Sequence, residues 1–246
     1  MPEAFFRELV DAAAMPYRRS GRYAWHFAKG KLRGDPVFRF LLRSATLPAR
    51  GRLLDLGCGQ GVLMALLQAA VERSAAGEWP PDWPAPPDLE LHGVELGRRR
   101  SDVARSALGA GAAITRGDIR DAPLPQAAAI VILDVLLYLD HDEQAKVLAR
   151  CVAALEPDGV LVLREANAGG GAAFQVTRWA ERLACWSRRQ WRQPLCYRPA
   201  SEWVALLGRL GLDAEATPMS EGTPFGNVLF VARRRNDAHA NYPSVD

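Results

Sequence analysis

From residue 51 onward, short apolar runs alternate with longer stretches of helical spacing. The runs are "RLLDLG" (52–57), "LELHGVEL" (89–96), "AAITRGD" (112–118), "AAIVILD" (128–134) and "GVLVLREA" (159–166). Between them lie "GVLMALLQAAVERS", "GRRRSDVARSALGA" and "DEQAKVLARCVAALEP". This rhythm predicts five βα units and a mostly parallel sheet with crossover helices. The last of the helices has Asp140 with Glu143 three residues on as its start and "EPDG" as its stop.

After residue 166 the rhythm breaks. Residues 167–198 open on a glycine run and continue "FQVTRWAERLACWSRRQWRQPLCYR". "SEWVALLGRLG" then reads as a helix, and "DAEATPM" and "GNVLFVARRR" read as strands joined by "SEGTPF". Two closing strands on so short a link predict a hairpin, hence one antiparallel strand at the sheet edge. A dinucleotide domain would close instead with a parallel sixth strand. The expected organisation is a helical segment over 1–49, a doubly wound α/β domain with a seven-stranded sheet over 50–235, an insert at 167–198, and a disordered polar tail at 236–246. The loop "GEWPPDWPAPPD" (77–88) has too many prolines for a helix or a central strand and reads as a surface insertion.

Composition narrows the class. With 246 residues and 49% hydrophobic content, the chain can bury roughly 70–75% of its unfolded surface in one unit. Net charge is only +3, which demands no nucleic acid. The four cysteines (Cys58, Cys151, Cys185, Cys196) have no C-x-x-C spacing and no histidine companions, which argues against zinc and for a reduced, cytoplasmic protein. The N-terminus has no continuous apolar core, so it does not read as a signal peptide. The longest apolar run, "AAAIVILDVLLYL", is too short to span a bilayer and contains Asp134, which points to a soluble protein.

The chemistry concentrates in "LLDLGCGQG" (53–61), where Gly57, Gly59 and Gly61 follow an apolar strand that carries Asp55 two residues before the first glycine. A dinucleotide turn reads G-x-G-x-x-G and seats a pyrophosphate on a helix N-terminus. Here the spacing is G-x-G-x-G, and the Asp55 carboxylate would repel a pyrophosphate. It suits a ligand that brings positive charge and no phosphate, as S-adenosylmethionine does.

This stretch resembles the first motif of the class I S-adenosylmethionine-dependent methyltransferases, and further acids follow in the expected order. The resemblance implies that Glu95, ending "LHGVEL", takes the two ribose hydroxyls. In "RGDIRD" it implies that Asp118 accepts from the adenine amino group and that Ile119 flanks the ring. It places Asp134 at the methionine end and the acceptor mouth, although Asp134 could equally cap the turn that follows it. The loop at 77–88 makes the spacing from Gly61 to Glu95 longer than the family's usual one.

The fourth motif continues "DVLLYLD" rather than Asn/Asp-Pro-Pro-aromatic, which argues against nucleic-acid or protein amines as acceptors. It resembles small-molecule O- and C-methyltransferases of the ubiquinone/menaquinone type. An in-line methyl transfer gains mostly from alignment and exclusion of water. A phenol acceptor also needs a base, for which His26, Tyr138 and His141 are candidates; each also has an ordinary structural reading. The segment "PYRRSGRYAWHFAKGKLRGDPVF" (16–38) is either a lid with cations over the cofactor or a helical piece with snorkelling cations. It is similar to the N-terminal segment of methyltransferases of aryl-polyene and fatty-acid-type pathways.

The insert holds Trp179, Trp186 and Trp191 among arginines. It reads as an acceptor cap, as an interfacial helix on a membrane surface, as a docking face for an acidic acyl carrier protein, or simply as packing on the sheet. The expected enzyme methylates an O or C atom of an apolar or aromatic small molecule, possible carrier attachment included, and needs no metal. Its rivals are a nicotinamide-dependent oxidoreductase and a non-catalytic cofactor-binding scaffold.

Overall fold

The structure, a computed structural model, describes residues 2–187 and 194–235. The expected tail at 236–246 lies outside the described residues, as do Arg188, Arg189, Trp191 and Arg192 of the insert. Seven strands form one sheet: β1 (Arg50–Leu56), β2 (Asp88–Glu95), β3 (Ala112–Arg116), β4 (Ala127–Leu133), β5 (Leu155–Ala166), β6 (Leu212–Pro218) and β7 (Asn227–Arg234). Their order is β3-β2-β1-β4-β5-β7-β6. The first five run parallel. β7 is antiparallel to both β5 and β6, so the reversed strand lies one place in from the margin that β6 forms.

The crossover helices fall where the spacing predicts them: α4 (Val62–Ala75), α5 (Arg98–Leu108) and α6 (His141–Ala154). Asp140 caps α6 with a reciprocal box: its carboxylate accepts from Glu143 N at 2.8 Å, and its own N–H donates to Glu143 Oε2. One boundary differs. α6 ends at Ala154, and "EPDG" belongs to β5 rather than to the helix stop. Leu155 is 1% exposed and pairs with Ala127, so burying it starts the ladder early. The charged residues after it occupy the break in register between Ala127 and Ala129.

Alternation along the strands sorts side chains onto two faces. Leu53, Ala129, Val131, Val160, Val162 and Leu229 join the core under the N-terminal helices. Leu54, Ile130, Ile132, Leu161, Leu163 and Phe230 join a second core with α6 and α8 (Ala200–Arg209). Asp55 continues the row of Leu53, and Arg164 that of Val160 and Val162. Both therefore face the side that the first helices cover.

Those helices are α1 (Pro2–Ala14), a 3-10 turn at Met15–Ser20, α2 (Arg22–Gly34) and α3 (Pro36–Arg43). Ala24, Ala28 and Leu32, at four-residue spacing, form the buried face of α2. The Trp/Pro loop is more than a surface insertion. Trp83 is 5% exposed, and Phe5, Trp79 and Trp83 meet edge to face at 5.5–5.6 Å, pinning α1 in place. The loop precedes β2, so it sits at the strands' N-terminal ends, away from the ends where α/β sheets bind ligands. Among the described residues no helix is long and apolar enough to cross a membrane.

Candidate active site

The glycine turn leaves β1 at the topological switch, where β4 rather than β2 continues the sheet on the other side. Gly57 and Cys58 both donate to the Val94 carbonyl, at 2.8 and 3.1 Å, which ties the turn to β2. Gly57 has φ +78°, and a Cβ there would stand 2.5 Å from Val135 Cγ2. Gly61 has φ +74°, and a Cβ there would meet Leu108 Cδ1 at 2.7 Å. Side chains are excluded at both positions by conformation and by space.

Asp55 lies beneath this turn, 4% exposed. Among the described residues no hydrogen bond or ion pair reaches its carboxylate. Burial, together with the nearby Glu95 charge, pushes its pKa up to about 7. Glu95, 3% exposed at the end of β2, is well supplied: Oε2 accepts from Gly59 N at 3.0 Å, and Oε1 accepts from Gly97 N at 2.6 Å and from Arg100 at 2.8 Å. A carboxylate offers about four acceptor positions, so a diol facing Glu95 would have to displace the half-exposed Arg100 to be held twice.

Asp118 follows β3 and is gripped by Arg120 through Nε and Nη2, with Arg120 N also donating to it. That ion pair lowers its pKa from the ordinary aspartate value. Ile119 is 7% exposed and packed into the core beside α6. Tyr17, which the sequence does not single out, is fully buried over the turn and donates from its hydroxyl to the Gln60 carbonyl at 2.8 Å. Burial raises the pKa of that hydroxyl and of the Cys58 thiol, so both stay protonated.

Asp134 directly follows β4, in the left-handed region at φ +58°. It does not cap the following turn, because Val135 N and Leu136 N donate to Glu165 Oε1 instead, at 3.1 and 2.7 Å. Asp134 takes a two-point grip from Arg164, with Nε donating to Oδ1 at 3.0 Å and Nη2 to Oδ2. Arg164, 1% exposed, also pairs with Asp35, which caps α3 by accepting from Val37 N. Lys31 closes the group, 2.8 Å from Asp35 and 3.7 Å from Asp134. Burial alone would raise Asp35, but Arg164 and Lys31 outweigh it and hold its pKa at about 2. Glu165, on the other face, is pushed up to about 8 by burial and by Asp134. Lys31, Asp35 and Arg164 carry a readable sign in sequence only at Arg164, a charge inside the apolar run "GVLVLREA".

A cavity of about 400 Å³ opens beside this cluster. Lys31, Asp35 and Asp134 line its charged side, and Leu137, Met219 and Phe225 its apolar side. Thr177 of α7 (Gly171–Ser187) and Tyr197 complete the wall, so the insert contributes to it. Trp179, also on α7, is 73% exposed and does not pack on the sheet. Val135 packs against Gly57 while its neighbour Asp134 lines the cavity, which makes glycine turn and cavity adjacent.

The three base candidates are dispersed. His26 is exposed on α2 beside Trp25, Tyr138 is half-buried in the turn after β4, and His141 is exposed at the start of α6. None of them lines the cavity. His141 Nε2 lies 3.3 Å from the carbonyl of Tyr197, a cavity residue.

Comparison with known proteins bears on the family and the fold. A family profile described as "Methyltransferase domain" matches residues 24–217. The chain is 37% identical over 116 residues to the carboxy-S-adenosyl-L-methionine synthase of Chromohalobacter salexigens; the match takes in 45% of this chain but only 38% of that protein. In fold it is similar to the mitomycin 7-O-methyltransferase MmcR, with TM-score 0.61 and 21% identity over 88% of this chain and 58% of that one. It is also similar to NcsB1, an O-methyltransferase from neocarzinostatin biosynthesis solved with S-adenosylmethionine and 2-hydroxy-5-methyl naphthoic acid. There the TM-score is 0.52 and the identity 22%, over 76% of this chain and 49% of that one. The chain thus spans about half the length of these solved relatives. With most of its length matched by the family profile, and with its strand order and glycine turn as described, the chain belongs to the methyltransferase-domain family.

Proposed function

We propose that the enzyme methylates an oxygen or carbon atom of an apolar or aromatic small molecule. The observation that carries this reading is the buried Asp55 carboxylate, without a hydrogen-bond or ion-pair partner among the described residues, under a glycine turn that adjoins a cavity with an apolar side. S-adenosylmethionine, when bound, supplies an activated methyl group on a cationic sulfur. Asp55 would hold its ammonium, the Gly57–Gly61 turn would give the backbone close approach, and Glu95 would hold the ribose. Asp118 would serve the adenine end, beside Ile119. Asp134 would sit between cofactor and acceptor, kept in place by Arg164.

Alignment in a closed site then supplies most of the rate, up to about 7–11 kcal/mol in favourable systems. Tyr17 and the first helices exclude water from the glycine turn, and α7 walls the acceptor cavity. Both carboxylates of the cavity are engaged by Arg164, so an O–H acceptor needs another base. Of the three candidates, His141 reaches a residue of the cavity wall. NcsB1, which binds a hydroxynaphthoic acid, supports an aromatic acceptor by likeness of fold.

The test is transfer of a labelled methyl group from S-adenosylmethionine into fractionated extract of the host, with Asp55→Ala as the blank. Label in the organic-soluble fraction, or in a fraction released by hydroxylamine as from a thioester, supports the reading. Stable label in RNA or in protein overturns it.

A further inference from the structure

Resting on the methyltransferase reading, we propose that the acceptor arrives on an acidic carrier protein that docks at the head of α2 and threads a flexible arm along that helix into the cavity. The head of α2 gathers cations from two elements. Arg18, Arg19 and Arg22 are exposed at the junction of the 3-10 turn and α2, and Arg98 and Arg99 are exposed at the start of α5. Ser20 shares a shallow groove with Arg98 and Arg99. Among the described residues no carboxylate lies within ion-pair distance of Arg18, Arg19, Arg22 or Arg99. The local acid, Asp102, is 3.8 Å from Arg98 and is shared with Arg105. Uncompensated cations on one patch of a chain with net charge +3 call for an acidic partner.

From that patch an uncharged stripe runs down α2. Tyr23, Phe27, Gly30 and Gly34 recur at spacings of four, three and four, which is one face of a helix. Tyr23 is 72% and Phe27 39% exposed, with the two rings stacked at 6.4 Å. Gly30 and Gly34 are poor helix formers in a helix interior and last turn, yet both line the cavity, and a Cβ at either would meet nothing within 4 Å. They leave room along the helix surface where the stripe enters the site. The 13 residues of α2 span about 20 Å, so the stripe joins the arginine patch to the cavity over that distance.

The charge distribution selects the partner. Cations stand at the head of the stripe and at the cavity, where Lys31 lies, while the other cations of α2 beyond its head, Lys29 and Arg33, both pair with Asp11 of α1. A nucleic-acid strand would carry phosphate along its whole path and needs cations throughout. An anionic bilayer needs a broad apolar face flanked by cations, whereas the track from patch to cavity carries two exposed rings in a single row. A neutral, slender arm on an acidic protein matches both the charged head and the uncharged track.

The probe is an acyl carrier protein, compared with and without its phosphopantetheine arm by fluorescence anisotropy against the full-length enzyme. The arm-bearing form should bind more tightly than the bare one. The triple variant Arg19→Glu/Arg22→Glu/Arg99→Glu should weaken both forms roughly tenfold or more, through slower association. It should leave the melting temperature and S-adenosylhomocysteine affinity unchanged. Gly30→Leu, which projects into open space, should remove the advantage of the arm and spare docking of the bare carrier. No carrier binding, or binding indifferent to these variants, overturns the proposal, as does tighter binding of a single-stranded RNA or of phosphatidylglycerol vesicles through the same arginines. Failure of the wild-type enzyme to bind S-adenosylhomocysteine would instead sink the methyltransferase reading beneath it.

Discussion

Two carboxylates, one on a strand and one at a helix cap, meet burial in opposite ways. Asp55 lies on β1 facing the N-terminal helices, and Asp35, the cap of α3, is held against Arg164 of β5. Asp55 has no cation and is pushed up to about 7, whereas Asp35 shares Arg164 and Lys31 and is held at about 2. The difference lies in the partner, since desolvation acts on both in the same direction. On the β4–β5 side the protein neutralises its own acids and thereby builds a fixed frame for the cavity. On the β1 side it leaves a negative charge unneutralised under a backbone turn, which is where a cationic ligand gains most.

The comparison breaks most visibly at Arg164. Arg164→Met keeps the bulk but strands Asp134 and Asp35, and should cost about 3–5 kcal/mol of stability in a denaturant titration. A loss below about 1 kcal/mol would mean that Lys31 alone neutralises both acids. Asp55→Asn should do the reverse. It removes an uncompensated charge, so the ligand-free protein should be no less stable, while S-adenosylhomocysteine affinity falls by about 2–5 kcal/mol, as for one half of a buried charge pair.

The pH dependence separates the two acids as well. Asp55 is raised above its unfolded value of 3.8, so its contribution is full below that value and is lost as pH rises through about 7. Asp35 is lowered, so its contribution stands above 3.8 and is lost as pH falls toward about 2. Melting temperatures of the ligand-free enzyme should therefore decline from pH 5 to pH 8, and Asp55→Asn should reduce that slope. Binding a ligand ammonium at pH 6–7 should release a proton from Asp55, detectable by calorimetry in buffers of different ionisation enthalpy.

The β1 side was legible in the sequence because its chemistry is local. The turn, its glycines and Asp55 lie within nine residues, and Glu95 ends the next apolar run. The capping pair Asp140 and Glu143 was legible for the same reason. The β4–β5 side was not, because Asp35 and Arg164 are 129 positions apart and meet only when α3 packs over the sheet. Tyr17 over the glycine turn, and Trp83 under α1, are hidden by the same long-range packing. "EPDG" misled because turn-forming residues were weighed without the apolar Leu155 that precedes them, and burial of that side chain decides where β5 begins.

Glu95 sharpens the comparison from within the cofactor side. Its carboxylate is already held by two backbone N–H groups and Arg100, so Glu95→Ala removes a brace of the turn and, on the proposed reading, a ribose contact as well. Affinity for S-adenosylhomocysteine should fall by about 1.5–3 kcal/mol, the range for a hydrogen bond to a charged group. Unchanged affinity by calorimetry would take Glu95 out of the site. Arg100→Ala should then act in the opposite sense, since it frees an acceptor position on Glu95 for a ribose hydroxyl.

The smallest effect is expected at Tyr17, and it asks whether the N-terminal layer belongs to the cofactor side at all. Tyr17→Phe keeps the buried ring and deletes one hydrogen bond, that to the Gln60 carbonyl in the middle of the glycine turn. The ligand-free protein should lose about 0.5–1.5 kcal/mol. If the hydroxyl acts by holding the turn in its binding shape, S-adenosylhomocysteine affinity should fall by a similar amount. Amide exchange should also quicken at Gly57, Cys58 and Gly61 while staying unchanged around Arg164. A loss of stability without either local change would make Tyr17 a fold residue alone, and the charge difference between Asp55 and Asp35 would then stand without help from the layer that covers both.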